Sequence, residues 1–114
     1  MSTSAERFAR NEALFREFNE RVEEVAETFD PRDEGDSLRI GFVCECGNLD
    51  CLKQFDLTRA AYEEVRRNPK RFVVAPGHEN TEVERVVARE NRYLVVEKLE
   101  EAAQVAIEHD PRSA

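Results

Sequence analysis

Leu38-Arg39-Ile40-Gly41-Phe42-Val43-Cys44-Glu45-Cys46-Gly47-Asn48-Leu49-Asp50-Cys51-Leu52-Lys53-Gln54-Phe55-Asp56-Leu57 is the stretch that decides the fold of this chain. Leu38, Ile40 and Phe42 recur with period two, and Phe55 and Leu57 repeat the alternation on the far side, the pattern of half-buried strands. Between the strands, all three cysteines of the chain fall within eight residues. Cys44 and Cys46 share one turn, and Cys51 closes back toward them if Gly47 and Asn48 take a tight or left-handed backbone. Soft donors at this density suit the tetrahedral sites that Zn2+ prefers, so the stretch is expected to be an antiparallel hairpin whose turn is a zinc knuckle.

A fourth ligand is then needed. Pro76-Gly77-His78-Glu79 follows a short strand, Arg71 to Ala75, running through Phe72 and Val74, and its Pro-Gly pair supplies a sharp turn that lets His78 point back toward an earlier element. His78 is the expected fourth ligand, with water, Asp50 or Glu45 as the alternatives. His109 falls in the last turn of a helix, where a cation complements the exposed carbonyls, and is expected to serve there instead. Three thiolates and an imidazole fill a tetrahedral shell and leave no open position for water, so the zinc is expected to be structural and no catalytic residue is assigned. The competing enzyme reading is a zinc hydrolase or deaminase with Glu45 or Glu79 as acid/base group, but the His-x-Glu and Pro-Cys-x-x-Cys order of the nucleobase deaminases is absent. A thiol redox sensor is the other alternative, because knuckle thiolates oxidise when their metal leaves.

Working outward, Ser4 to Phe29 carries Phe8, Phe15, Phe18, Val22, Val25 and Phe29 at alternating steps of three and four, with Asn11 in the missing place, and predicts a long amphipathic helix stopped by Asp30-Pro31. Its stripe is expected to pack on its own domain or to dock on a protein partner or a second copy, with Asn11 setting register. A polar linker is expected over 30–37. Thr58 reads as the N-cap of a helix from Arg59 to Asn68 that buries Ala61, Tyr62 and Val65 and stops at Pro69. Residues 81–89 read either as a helix capped by Thr81 and Glu84 or as the first arm of a hairpin with Tyr93 to Lys98. β-Branched content and the polar turn at 89–92 favour the hairpin. Tyr93-Leu94-Val95-Val96 is apolar on both faces and predicts a central strand. Leu99 to His109 is the last helix, with Ala103, Ala106 and Ile107 inward. The order implies an α+β fold with a zinc-binding unit over 38–110, preceded by the helix of 1–29 and followed by a tail at 111–114.

The 114 residues suffice for one domain with a real core, and the formal net charge of −8 disfavours phosphate backbones and anionic lipid, so nucleic acid is an unlikely partner. Arg66, Arg67, Lys70 and Arg71 cluster around the end of the middle helix and read as a solvated helix end, the alternative being a patch for a phosphate, an RNA segment or an acidic partner of a nucleic-acid-associated regulator. The N-terminus has no apolar signal segment and no run approaches membrane-spanning length, which points to the cytoplasm. Reduced thiols in that compartment favour metal over a disulfide.

The spacing Cys44-x-Cys46-Gly47-x-x-x-Cys51 resembles the post-SET zinc knuckle of lysine methyltransferases. That family takes a fourth cysteine from its catalytic domain, which this chain lacks, so the resemblance implies zinc and not methyl transfer. A looser resemblance, through Asn11 to Arg16, Phe42 to Cys46, Phe72 to Glu79 and Val95 to Lys98, is to a group of small uncharacterised bacterial proteins, and implies that the chain is a complete protein. The expected role is a non-enzymatic zinc-binding regulator or adaptor working through protein contacts.

Overall fold

Helix α1 (Ser4–Phe29) is followed by strands β1 (Arg39–Val43) and β2 (Gln54–Thr58), helix α2 (Arg59–Arg66), strand β3 (Arg71–Val74), strands β4 (Glu84–Arg89) and β5 (Leu94–Lys98), and helix α3 (Glu100–Glu108). The structure is a computed structural model and describes residues 4–29, 39–51 and 53–112. The linker expected over 30–37, together with Leu38 and Leu52, lies outside the described residues.

The strands form two antiparallel sheets, β1-β2 and β3-β5-β4, which makes the fold α+β. β1 and β2 pair with Phe42 opposite Phe55 and Ile40 opposite Leu57, so the alternation read in the sequence puts one face of the hairpin into the core. β5 is central in the second sheet and buried throughout, as an apolar strand flanked on both sides should be. The 81–89 stretch does enter a hairpin, but the strand begins only at Glu84. The Thr81–Glu84 capping box does not form; the Glu84 carboxylate accepts a hydrogen bond from the Asn80 N–H at 2.9 Å instead. Thr58 caps α2 as its sequence implies, its hydroxyl accepting from the Ala61 N–H at 3.2 Å. Tyr62 of that helix stacks on Phe42 with ring centroids 4.4 Å apart, tying α2 to the first sheet.

Helix α1 departs from expectation in its rotation rather than its length. Phe8, Phe18 and Val25 of the expected stripe are 50%, 52% and 54% exposed, and Phe15 and Val22 are half-buried. Arg16 and Asn19 are fully buried in their place, with Glu23 at 7% exposure. At about 100° per residue, the face turned to the core is roughly a quarter turn away from the apolar stripe. The cause is partners supplied from distant sequence. Asn19 Nδ2 donates to the Val43 carbonyl and the Glu45 carboxylate, and its Oδ1 accepts from the Val43 N–H, all at 2.9 Å. Arg16 lies over the Phe72 ring at 4.5 Å and donates to the carbonyls of Pro69 and Ala106 at 2.7 Å each. Arg112 bridges Glu20, Glu23 and Glu63.

Two smaller expectations also change. Ala106 is buried, but Ile107, one residue further round α3, is 39% exposed. The basic cluster at the end of α2 is solvated only in part: Arg67 is exposed beside Glu64, whereas Arg66 is buried between Glu20 and Asp110 and Arg71 pairs with Glu97. Among the described residues no helix is long and apolar enough to cross a membrane.

Candidate metal centre

At the end of β1 the chain changes partner. The Cys44 N–H still donates to the Lys53 carbonyl opposite it in the hairpin, at 3.0 Å, but the next amide, Glu45 N–H, donates to the Val73 carbonyl of β3 at 2.8 Å. The knuckle is therefore the place where the two sheets are stitched together. Glu45 makes the stitch reciprocal, since its carboxylate accepts from the Val73 N–H at 2.9 Å. The same side chain accepts from the Tyr62 hydroxyl and from Asn19, both at 2.9 Å, so a fully buried carboxylate binds α1, α2 and β3 at once. Burial raises its pKa above the ordinary carboxylate value, and those three hydrogen bonds pull the other way.

With Glu45 directed into the core, the cysteines on either side point to the opposite face. Gly47 then takes φ = +83°, the left-handed turn the spacing required. Asn48 closes the loop, its carbonyl accepting from the Cys51 N–H at 3.0 Å and its side chain from the Asp50 N–H at 2.9 Å. From the other side, the Pro76-Gly77 turn has Gly77 at φ = +88° and is closed by the His78 N–H on the Ala75 carbonyl at 3.0 Å. That turn folds His78 back over the knuckle.

One ligand atom from each of Cys44, Cys46, Cys51 and His78 lies within 4.8 Å of all the others. His78 Nδ1 is 3.7 Å from Cys44 Sγ and 3.5 Å from Cys51 Sγ. A tetrahedral ion with metal–sulfur and metal–nitrogen bonds of about 2.3 and 2.0 Å places its sulfur and nitrogen ligands about 3.5 Å apart. The donor set and the two His78–sulfur distances thus suit a single metal ion. Cys44 is buried while the other three are partly exposed, which puts the site at the rim of the core. The Ala75 N–H donates to Cys44 Sγ at 3.1 Å, the kind of amide support a thiolate ligand needs. Among the thiols themselves, the hydrogen bond from Cys44 to Cys46 lowers the Cys46 pKa and, together with burial, raises that of Cys44.

No family model, curated protein or solved structure matches the chain. The site's chemistry rests on its own geometry.

The alternatives for the fourth position are placed elsewhere. Glu45 is locked in the core, and neither it nor Asp50 belongs to the four-residue cluster. His109 ends α3 outside the cluster and lines a cleft of about 1220 Å³ between the first half of α1, α3 and the knuckle. Cys46 and His78 border that cleft, Phe72 contributes to its wall, and Lys98 lies there paired with both Glu12 and Glu84. Burial raises the Glu12 pKa to about 7 against the opposing pull of Lys98.

Helix α1 seals the knuckle from above. Asn11 Nδ2 donates to the Gly47 carbonyl at 3.0 Å, and a methyl group on Gly47 would come within 2.8 Å of Glu12 Cγ and 2.9 Å of the Phe8 carbonyl. Asn11, which the sequence reading placed as a register residue for docking on a partner, here holds the cysteine loop of its own chain. Glu45, Asn19 and Arg16 were missed by sequence reasoning. No local signal marked Glu45: the period-two alternation of Leu38, Ile40 and Phe42 continues to Cys44 and puts Glu45 on the outward parity, yet it is fully buried.

Proposed function

We propose that Cys44, Cys46, Cys51 and His78 bind one Zn2+ that is structural, and that the protein is a small non-enzymatic regulator or adaptor whose surfaces engage another protein. The observation that carries the reading is the convergence of the four donors within 4.8 Å of one another, on a loop whose neighbouring carboxylate is tied to three elements of the core. Zinc is favoured over other divalent ions because three thiolates and an imidazole are soft, tetrahedral donors. Such a shell has no room for an activated water. Glu45, the acid/base group an enzyme reading would use beside the metal, is committed to Asn19, Tyr62 and Val73. The formal charge of −8 argues that the partner is not nucleic acid.

Purified protein is expected to carry about one equivalent of zinc. A Co2+-substituted sample is expected to give the absorption of a tetrahedral ion with sulfur and nitrogen ligands. His78→Ala and Cys46→Ser should each weaken metal binding by more than tenfold, since each opens a closed shell. Sub-stoichiometric zinc, or oxygen ligation in the cobalt spectrum, would remove the structural-zinc reading.

A further inference from the structure

The exposed side of α1 carries an apolar strip that the described residues do not cover. Leu14, Phe18 and Val25 are 56%, 52% and 54% exposed and lie within about 40° of one another around the helix, opposite the buried Arg16, Asn19 and Glu23. Glu17 and Arg21, both exposed, flank the strip on one side, one helical turn apart. Neither forms an ion pair among the described residues. The sequence that follows the helix, Asp30 to Ser37, has no aliphatic or aromatic side chain besides Pro31 with which to cover it.

We infer that α1 is a self-docking surface: two copies of this chain pair through antiparallel α1 helices about a two-fold axis near Asn19 and Glu20. The charge pattern selects this occupant and this direction. When two identical helices lie antiparallel, the same flank of each faces the other. With the axis at this point Glu17 meets the partner's Arg21, and Arg21 meets the partner's Glu17. Leu14 then packs against the partner's Val25, and the stem of Arg21 crosses the partner's Phe18, where its guanidinium also gains the ring face. In a parallel pair the two copies of this flank would lie on opposite sides of the interface, and neither Glu17 nor Arg21 would meet its complement. The helix has 26 residues, and this register overlaps about 20 of them, roughly 30 Å of paired helix. The surface is independent of the core, because the residues that hold α1 down point the other way.

The inference deepens the reading that the protein works through protein contacts, and its test separates the two. Sedimentation equilibrium of the zinc-loaded full chain, from about 1 to about 500 µM to cover the weak range expected of so narrow an interface, should show the mass rising from 13.2 kDa toward twice that value. Phe18→Glu should stay monomeric while retaining its zinc. Glu17→Arg and Arg21→Glu should each weaken association at least tenfold, and the double swap should restore it, which a merely destabilised fold would not do. A wild-type chain that is monomeric across the range, a Phe18→Glu dimer of undiminished affinity, or a double swap no better than its parents would each overturn the pairing. Measured zinc content of the same samples decides the structural-zinc reading separately.

Discussion

Asn19→Ala is expected to damage this protein far more than Phe18→Ala, although the sequence pattern ranks them the other way. Asn19 is fully buried and makes three hydrogen bonds, two to the Val43 backbone and one to the Glu45 carboxylate. A neutral buried hydrogen bond contributes about 1 kcal/mol and one to a charged group about 1.5–3 kcal/mol, while a donor left unpaired adds its desolvation penalty. The loss should total about 3–5 kcal/mol, at least about a fifth of the stability of an ordinary domain. Phe18 keeps half of its surface in water, so truncation removes about 1 kcal/mol of burial, and the better helix propensity of alanine returns part of it. The assay is urea unfolding of both variants with zinc saturating and protein dilute enough to be monomeric. A double-mutant cycle of Asn19→Ala with Glu45→Gln should then give a coupling energy of at least about 1 kcal/mol. If Phe18→Ala proved the more destabilising, or the cycle gave no coupling, the buried polar seam between α1 and the knuckle would be wrong.

Gly47→Ala should destabilise by about 2–4 kcal/mol, from the left-handed backbone and the collision with the Phe8 carbonyl; a shift below about 0.5 kcal/mol in thermal or urea unfolding would count against the seal. Removing zinc with a chelator should lower the melting temperature by about 15 °C relative to free zinc at about 1,000 times its Kd, where binding contributes about 4 kcal/mol. An unchanged melting curve would show that the ion is not structural. Glu12, with its folded pKa raised from 4.5 to about 7, favours folding while protonated; that contribution is whole below about pH 4.5 and is lost as pH rises through about 7. Glu12→Gln should therefore gain stability relative to wild type between pH 5.5 and pH 7.5, about one unit above and just past the two limits, and a flat difference in urea midpoints would contradict the assignment.

The order of elements, the knuckle hairpin, the Thr58 cap and the central β5 were legible because each is written in local signals: period-two alternation, a capping hydroxyl, an apolar run between turns. The grouping of Cys44, Cys46, Cys51 and His78 was legible for a related reason, since crowded soft donors and a Pro-Gly turn have few other uses. The rotation of α1 was not. An amphipathic stripe says where apolar side chains prefer to go, and here that preference was outweighed by polar groups that gain partners only after folding: Asn19 with Glu45, Arg16 with Pro69 and Ala106, Glu23 with Arg112. Those partners lie at least 26 positions away in the chain, beyond the reach of any helical or strand period. Arg66 was misread for the same reason, because its carboxylates come from α1 and from Asp110.

Glu45 makes this cysteine loop non-portable. A self-contained knuckle can be lifted into another scaffold with its ligands and its turn, but the eight residues from Cys44 to Cys51 would take with them a carboxylate that needs an amide, a phenol and a strand N–H waiting for it. Grafted alone, the segment would either expose that carboxylate and lose the anchor that holds both flanking thiols toward His78, or bury it unpaired. Any chain that inherits the loop must inherit Asn19, Tyr62 and the β3 edge with it.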